Sequence, residues 1–384
     1  MSLLGGLTPQ KFLQRHWQKR PLLIRNALPA FCDLLGREQL FDLACRDDVQ
    51  SRLVVQGRRM WNVVNGPFRS RYLRKLGHGK WSLLVQDVNQ VLPDAQRLLM
   101  QFDFIPYARM DDVMISCAPP GGGVGPHFDS YDVFLLQGSG QRLWQISMQK
   151  DLRLMERVPL KILKNFKPER EWVLGPGDML YLPPRCAHNG VALNECITYS
   201  IGFRAPSAQE LATHFLAFLE DHLRLKTMYR DPWLTPQQHP AQISDAMLGQ
   251  AIQMLERVHW GKRDIELFLG KFLSDPKPLV IFRPPSRPLS QERFSRKCKS
   301  QGIHLDLKSQ MLFRRSVMFI NGEAHHPGPR AFDSLSRLAD SRELKPGTTL
   351  DRKSRHLLYQ WYRAGYIKLG RMPQAIASSH GKKH

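Results

Sequence analysis

The sequence predicts an α+β chain: an antiparallel β barrel or sandwich, then a helical stretch, then a small mixed unit. Three observations predict it. Between about residues 98 and 204, short apolar runs alternate with glycine and proline clusters, as in antiparallel strands joined by tight turns. From Ser207 to Leu273 apolar residues recur at helical spacing. A proline-rich break from Pro276 to Pro288 reads as a linker, and helix and strand signals mix beyond it.

Taken in order, Thr8-Pro9 followed by Phe12, Leu13 and Trp17 reads as a capped helix start with proline in its first turn. Pro21 to Ile24 is a short strand. Val113 to Ser116, Val133 to Leu136 and Leu143 to Ile146 are the apolar runs of the barrel. Ser207 and Glu210 form a capping box ahead of Leu211, Phe215, Phe218 and Leu219. Amphipathic stretches follow from Ser244 to Val258 and from Asp264 to Leu273. Their broad apolar faces either pack on the barrel or form a dimer interface. In the last unit, Asn321-Gly322 is a hairpin signal, Leu350 to Arg363 a helix and Tyr366 to Leu369 a terminal strand, together a winged-helix pattern.

The chain of 384 residues with 42% hydrophobic content supports sizeable cores in two or three domains. No apolar run approaches the roughly 18 residues of a membrane span, and the N-terminus lacks secretory features. A soluble, cytoplasmic protein is expected. Six cysteines without a CxxC pair argue against a zinc knuckle or disulfide framework. The net charge of +22 is uneven: residues 271 to 384 hold 23 Lys/Arg against 8 Asp/Glu. That tail unit is expected either to meet a polyanion such as RNA or to be a solvated basic surface.

The chemistry is carried by Gly121-Gly-Gly-Val-Gly-Pro-His127-Phe-Asp129 and by a distant His188. Residues i and i+2 of a strand share a face, so His127 and Asp129 can converge on one ion. The glycines let the chain turn tightly beside it. Gly175-Pro-Gly-Asp178, then Met179 to Leu182, then Pro183-Pro184, is a turn, strand and turn that delivers His188 as the third ligand. Two imidazoles and one carboxylate leave coordination positions open, which suits non-haem Fe(II). Cys186 is a rival ligand, though free cysteines are usually buried. Arg142, fifteen residues after His127, offers a bidentate grip on a carboxylate, with Ser116 as a second donor. The far end of 2-oxoglutarate needs such a partner. The alternative for Arg142 is a strand-edge charge. Tyr131 and Tyr181 either line a target pocket or are buried barrel tyrosines.

Taken together, Gly121 to Asp129, Tyr131-Asp132-Val133-Phe134, Gln137-Gly138, Arg142-Leu-Trp144, the opening Trp17-Gln-Lys-Arg-Pro-Leu-Leu-Ile-Arg-Asn-Ala and the segment from Gly175 to His188 resemble the bacterial ribosomal oxygenases of the JmjC superfamily. The resemblance implies a JmjC/cupin-like double-stranded β-helix over 1–206, a helical dimerisation region over 207–275, a basic winged-helix unit over 276–376 and a disordered tail over 377–384. It implies Fe(II) held by His127, Asp129 and His188, and 2-oxoglutarate held by Arg142 and Ser116, with O2 as co-substrate. It further implies a homodimer and hydroxylation at the β-carbon of an arginine in large-subunit ribosomal protein sixteen. The human relatives hydroxylate histidine and carry lysine where Arg142 stands, so arginine favours the bacterial branch. A cationic target calls for an acid, and Asp111, Asp112 and Asp132 lie nearest the motif. Two other readings stand beside this one: a JmjC-type N-methyl demethylase with the same ligands, and a non-catalytic RNA- or ribosome-binding protein on a cupin scaffold.

Overall fold

The computed structural model describes residues 3–57, 60–77 and 79–373, so the tail expected to be disordered lies outside the described residues. Thr8 caps α1 (Pro9–Arg15) by accepting from the Lys11 N–H, and Phe12 is buried beneath it. The chain continues through β1 (Leu22–Ile24), α2 (Arg37–Ala44), β2 (Ser51–Gln56), β3 (Trp61–Asn65), α3 (Ser70–Arg74), β4 (Trp81–Val85) and α4 (Pro93–Met100). The barrel strands proper are β5 (Met110–Ala118), β6 (Asp132–Gln137), β7 (Arg142–Ser147), β8 (Arg170–Leu174), β9 (Met179–Leu182), β10 (Ala187–Ala192) and β11 (Cys196–Phe203).

These strands form two sheets. The larger has the order β1-β9-β6-β11-β5-β4-β2-β3, and the smaller the order β10-β7-β8. Strands β2 to β4 extend the barrel into residues 51–85, a stretch where the sequence reading assigned no strand. Their apolar cores are only a few residues long between charged or polar flanks, so the turn residues beside them (Gly57, Asn65-Gly66-Pro67, Gly77 and Gly79) do not by themselves mark strands; pairing outward from β5 through β4 and β2 defines them.

Both faces of the large sheet are covered, and the pleat decides what each residue meets. On β5, Val113, Ile115 and Cys117 enter the main core with Phe12, Phe41 and Leu98 from the flanking helices. The alternate residues Asp112, Met114 and Ser116 face a cavity between the two sheets. On β11, Ile197, Tyr199 and Ile201 face the core, while Thr198, Ser200 and Gly202 face the cavity.

The capping box at Ser207 and Glu210 opens α5 (Ala208–His222). It is followed by α6 (Asp245–Leu255) and α7 (Lys262–Ser274). Phe215 and Phe218 of α5 pack against Phe268 of α7, but no residue of α6 is buried. The last unit comprises α8 (Gln291–Gln301), β12 (Ile303–Leu305), β13 (Met311–Arg314), β14 (Val317–Ile320), β15 (Glu323–His325), α9 (Pro329–Ser341), β16 (Glu343–Leu344), α10 (Arg352–Ala364) and β17 (Ile367–Leu369). The hairpin turn between β14 and β15 is Asn321-Gly322, both at positive φ. A separate core of Phe294, Leu335, Leu358 and Trp361 holds this unit together. Among the described residues no helix is long and apolar enough to cross a membrane.

Candidate metal centre and co-substrate pocket

His127 is not in a continuous strand, as the i, i+2 argument supposes. It sits in the loop between β5 and β6 and is pinned to β10 by an isolated antiparallel bridge. The His127 N–H donates to the His188 carbonyl (2.9 Å), and the His188 N–H donates to the His127 carbonyl (2.8 Å). Glycine permits this approach: a Cβ on Gly123 would lie 2.5 Å from the Gly190 carbonyl oxygen on β10. Gly125, at φ +80°, then turns the chain into a conformation that L side chains rarely adopt.

The bridge brings the two rings together, with centroids 4.2 Å apart. Each Nδ1 lies against the carbonyl two residues earlier: His127 against Gly125 (2.8 Å) and His188 against Cys186 (2.9 Å). A carbonyl can only accept, so each Nδ1 carries the proton and each Nε2 presents a lone pair. Asp129 Oδ2 is 3.8 Å from His188 Nε2. One ligand atom from each of the three side chains falls within 4.8 Å of the others. Burial, reinforced by the neighbouring His127, pushes the His188 pKa down to about 4 against the pull of Asp129. The imidazole is therefore neutral at physiological pH, the form that binds a metal. The Cys186 thiol belongs to the core, with burial pushing its pKa up to about 12; its contribution to the site is its carbonyl.

A cavity of about 460 Å³ opens beside the triad. Arg142 and Trp144 line it from the small sheet, Asp112, Ser116 and Thr198 from the large sheet, and Tyr131 from the loop before β6. Arg142 opens the central strand of the small sheet and is only 4% exposed, unlike a stray charge at a strand edge. Its Nη2 reaches only the Cys196 sulfur (3.6 Å), and its buried Nε has no hydrogen-bond partner among the described residues. A buried guanidinium without an anion is costly, and a carboxylate in the cavity would offset that cost. The Trp144 indole N–H is likewise buried and unpartnered. Thr198, whose hydroxyl donates to Gln137 Oε1 (3.2 Å), was not singled out from sequence. Its signal was available only through register, since Thr198 pairs with Ser116 across the sheet.

Two anticipated pocket residues are placed elsewhere. Tyr181 is fully buried in the main core, and its hydroxyl donates to Asp132 Oδ1 (2.6 Å) and accepts from the Gln18 N–H. Asp132 is fully buried too, bonded by Gln18 Nε2 (3.0 Å) and 3.5 Å from Arg109 Nη2. The pleat explains the correction. Val133 and Leu135 of β6 face the cavity, so Asp132 and Phe134, with Tyr181 paired to Phe134, face the helices. Tyr131, just before β6, does line the cavity.

Comparison with known proteins agrees with this architecture. A JmjC domain matches residues 97–211 and a ROXA-like winged helix matches residues 253–368. The ribosomal protein uL16 3-hydroxylase of Escherichia coli is 34% identical over 330 residues, 85% of this chain and 87% of its own length. A probable ribosomal oxygenase of Haemophilus influenzae is 41% identical over 210 residues, about half of each chain. The structure of Escherichia coli YcfD, a ribosomal oxygenase, in complex with cobalt and 2-oxoglutarate superposes with a TM-score of 0.80 at 32% identity, covering 94% of this chain and 98% of that one. The barrel, the converging His127, Asp129 and His188, and these similarities define a JmjC-type 2-oxoglutarate oxygenase. The chain belongs to the ribosomal oxygenase family.

Proposed function

We propose that this protein is an Fe(II)- and 2-oxoglutarate-dependent hydroxylase of an arginine side chain in large-subunit ribosomal protein uL16. The observation that carries the co-substrate assignment is the buried, anion-less guanidinium of Arg142 beside the triad. His127, Asp129 and His188 would hold the iron, which with 2-oxoglutarate and O2 supplies the oxidant that converts a C–H bond to C–OH. Arg142, with the Ser116 hydroxyl, would bind the distal carboxylate, beside Thr198, whose own hydroxyl is held by Gln137 Oε1. Apolar side chains such as Val54, Met114 and Leu135 exclude water from the rest of the cavity. No side chain needs to act as a general base.

Asp112 is the acid that supports a cationic target. It alone of Asp111, Asp112 and Asp132 lines the cavity. The absence of a side chain at Gly202 makes room for its carboxylate, since a Cβ there would lie 3.2 Å from Asp112 Oδ1 and 3.8 Å from Tyr131 Cε2. A carboxylate beside an aromatic ring suits a guanidinium, which can be paired and stacked at once.

The partners follow the same reading. Leu248, Ile252 and Leu255 of α6, with Trp233 and Leu234 ahead of it, are exposed apolar residues, which supports a homodimer through the helical region. Arg293, Arg296, Lys297 and Lys299 of α8 are exposed, as are Lys345 and Arg371. None of them is ion-paired among the described residues, which supports contact with ribosomal RNA phosphates in the cytoplasm.

The reading is tested by incubating the iron-loaded protein with 2-oxoglutarate, O2 and a uL16-derived peptide, followed by mass spectrometry. A gain of one oxygen on arginine is the expected result. Loss of a methyl group from a methylated peptide would replace hydroxylation by demethylation, and no turnover would leave the scaffold reading.

A further inference from the structure

The turn-and-strand pair that carries Asp112 also meets the C-terminal half of the chain. At Asp111 and Asp112 the pairing of β5 with β11 slips by one residue, a β-bulge opposite Gly202, so the two carboxylates lie side by side: Asp112 lines the cavity and Asp111 lines an adjoining pocket. There Lys277 reaches in from the segment after α7. Its Nζ lies 2.7 Å from Asp111 Oδ1 and 2.7 Å from Asp87 Oδ1. Asp87 also accepts from Gln90 Nε2 (3.2 Å), and its own N–H donates to Asp112 Oδ2 (3.2 Å). Lys277 stands between Pro276 and Pro278, whose rings fix φ and stiffen the segment that presents it. What reads in sequence as the start of a linker is, in the fold, a strut onto the catalytic unit.

Three carboxylates share this corner with one cation. Asp112 faces Asp111 on its own strand, Asp87 on the turn after β4, Lys277 and the neighbouring Tyr131; Arg52 of β2 lines the same cavity and also acts on Tyr131. Burial raises the pKa of Asp112 to about 7; Lys277 opposes this, and Asp111 and Asp87 add to it. On Lys277, burial works against the charge, but Asp111, Asp112 and Asp87 outweigh it and hold the ammonium above the ordinary lysine range. Without Lys277 the like charges would be uncompensated, and the cheapest relief is a proton on the most buried acid.

We propose that Lys277 is a positioning residue for substrate recognition: from the C-terminal half of the chain it neutralises Asp87 and Asp111, so that Asp112 presents a carboxylate to the cationic target side chain. This inference rests on the assignment of Asp112 as the target's partner, and the experiment separates the two. The sign follows from the chemistry. Binding needs the ionised acid, so affinity for an arginine peptide rises with pH through the Asp112 titration. Losing Lys277 moves that rise to higher pH.

The measurement is the Kd of a uL16-derived arginine peptide on the iron-loaded, anaerobic protein from pH 6 to 9, with KM and kcat at pH 7. K277M is expected to weaken binding about fivefold at pH 7 and close to tenfold at pH 6, as displacing one titration from about 7 by about one unit requires, with the loss falling on KM rather than kcat. K277R keeps the cation and restores affinity to within about threefold of the parent. D111N removes one competing carboxylate: alone it moves the rise to lower pH, and in the K277M background it recovers most of the lost affinity. Should K277M fold poorly, the D111N shift carries the test. An unchanged pH profile in both K277M and D111N, alongside weakened binding in D112N, would overturn the role of Lys277. A D111N/K277M double variant as weak as K277M would do the same, because a merely structural lysine is not rescued by removing a charge. If D112N binds like the parent, the assignment of Asp112 itself fails.

Discussion

Arg142 shows how one side chain can be both the most legible and the most informative of a site. Its spacing from His127 and its guanidinium geometry nominate it from sequence, with a stray edge charge as the rival. Burial removes the edge-charge rival, and a 4% exposed guanidinium whose Nε has no partner among the described residues favours an anion to complete it. The consequence is measurable. Arg142→Ala removes a charge-assisted hydrogen-bond pair worth about 2 kcal/mol, so KM for 2-oxoglutarate should rise roughly thirtyfold while binding of a divalent metal to the triad is retained. Arg142→Lys supplies a point charge without the planar fork and should fall between the two. Loss of metal binding in Arg142→Ala would show that the residue supports the triad and not the co-substrate. His188 adds the complementary lesson. That it would present Nε2 to a metal follows only from the Cys186 carbonyl against Nδ1, a contact made by residues two apart that no motif encodes.

At the scale of elements, the pleat separates what was readable from what was not. Once Ser116 is placed on the cavity face, Asp112, four residues earlier on the same strand, must share it; that inference needs no partner strand. Asp132 and Tyr181 belong to strands whose parity relative to β5 depends on how β6 pairs with β11 and β9. Such pairing is non-local, and a one-residue slip exchanges the faces, so proximity to the metal motif misplaced both. The loop between β5 and β6 shows the same limit: the glycine run was legible as a close approach, but the strand it approaches, β10, was not. Gly123→Ala is the corresponding prediction. Its Cβ would fall 2.5 Å from the Gly190 carbonyl oxygen, so the loop must retreat and carry His127 away from His188. Metal affinity is expected to drop by roughly ten- to a hundredfold, the range seen when the supports of a ligand are disturbed, measured by Co(II) titration. The circular dichroism of the barrel should be nearly unchanged, since the loop adds a single bridge to the small sheet. Co(II) affinity equal to that of the parent would mean that the loop is not what positions the pair.

Across the whole molecule, charge is distributed against the demands of the active site. A chain of net charge +22 presents a barrier to a basic target, yet the cavity keeps an acid at its wall, and the excess of positive charge lies in the winged-helix unit. Steering by the whole field and recognition in the pocket are thus assigned to different parts. Composition revealed the asymmetry; only the fold shows that the cations of α8 lie on the side opposite Phe294 and Cys298, which are buried in the core of that unit. The C-terminal turn of α8 lies against the loop bearing Lys345, through the bond from the Gly347 N–H to the Lys299 carbonyl (2.8 Å). Gly370, next to Arg371, donates to the Gly302 carbonyl at the same end (3.0 Å). If this face meets RNA phosphates, affinity for ribosomal RNA fragments must fall with salt in proportion to the number of contacts. Reversing Arg293, Arg296, Lys297 and Lys299 to glutamate should flatten the plot of log affinity against log salt by roughly 3, at about 0.7 to 0.9 per lost phosphate contact. Reversing four exposed cations elsewhere, Arg69, Arg71, Arg74 and Lys75 around α3, changes the net charge equally. A contact confined to α8 predicts a large loss of slope in the first variant and a small one in the second; equal losses would reduce RNA binding to the overall charge of the chain and leave the winged helix without a dedicated partner.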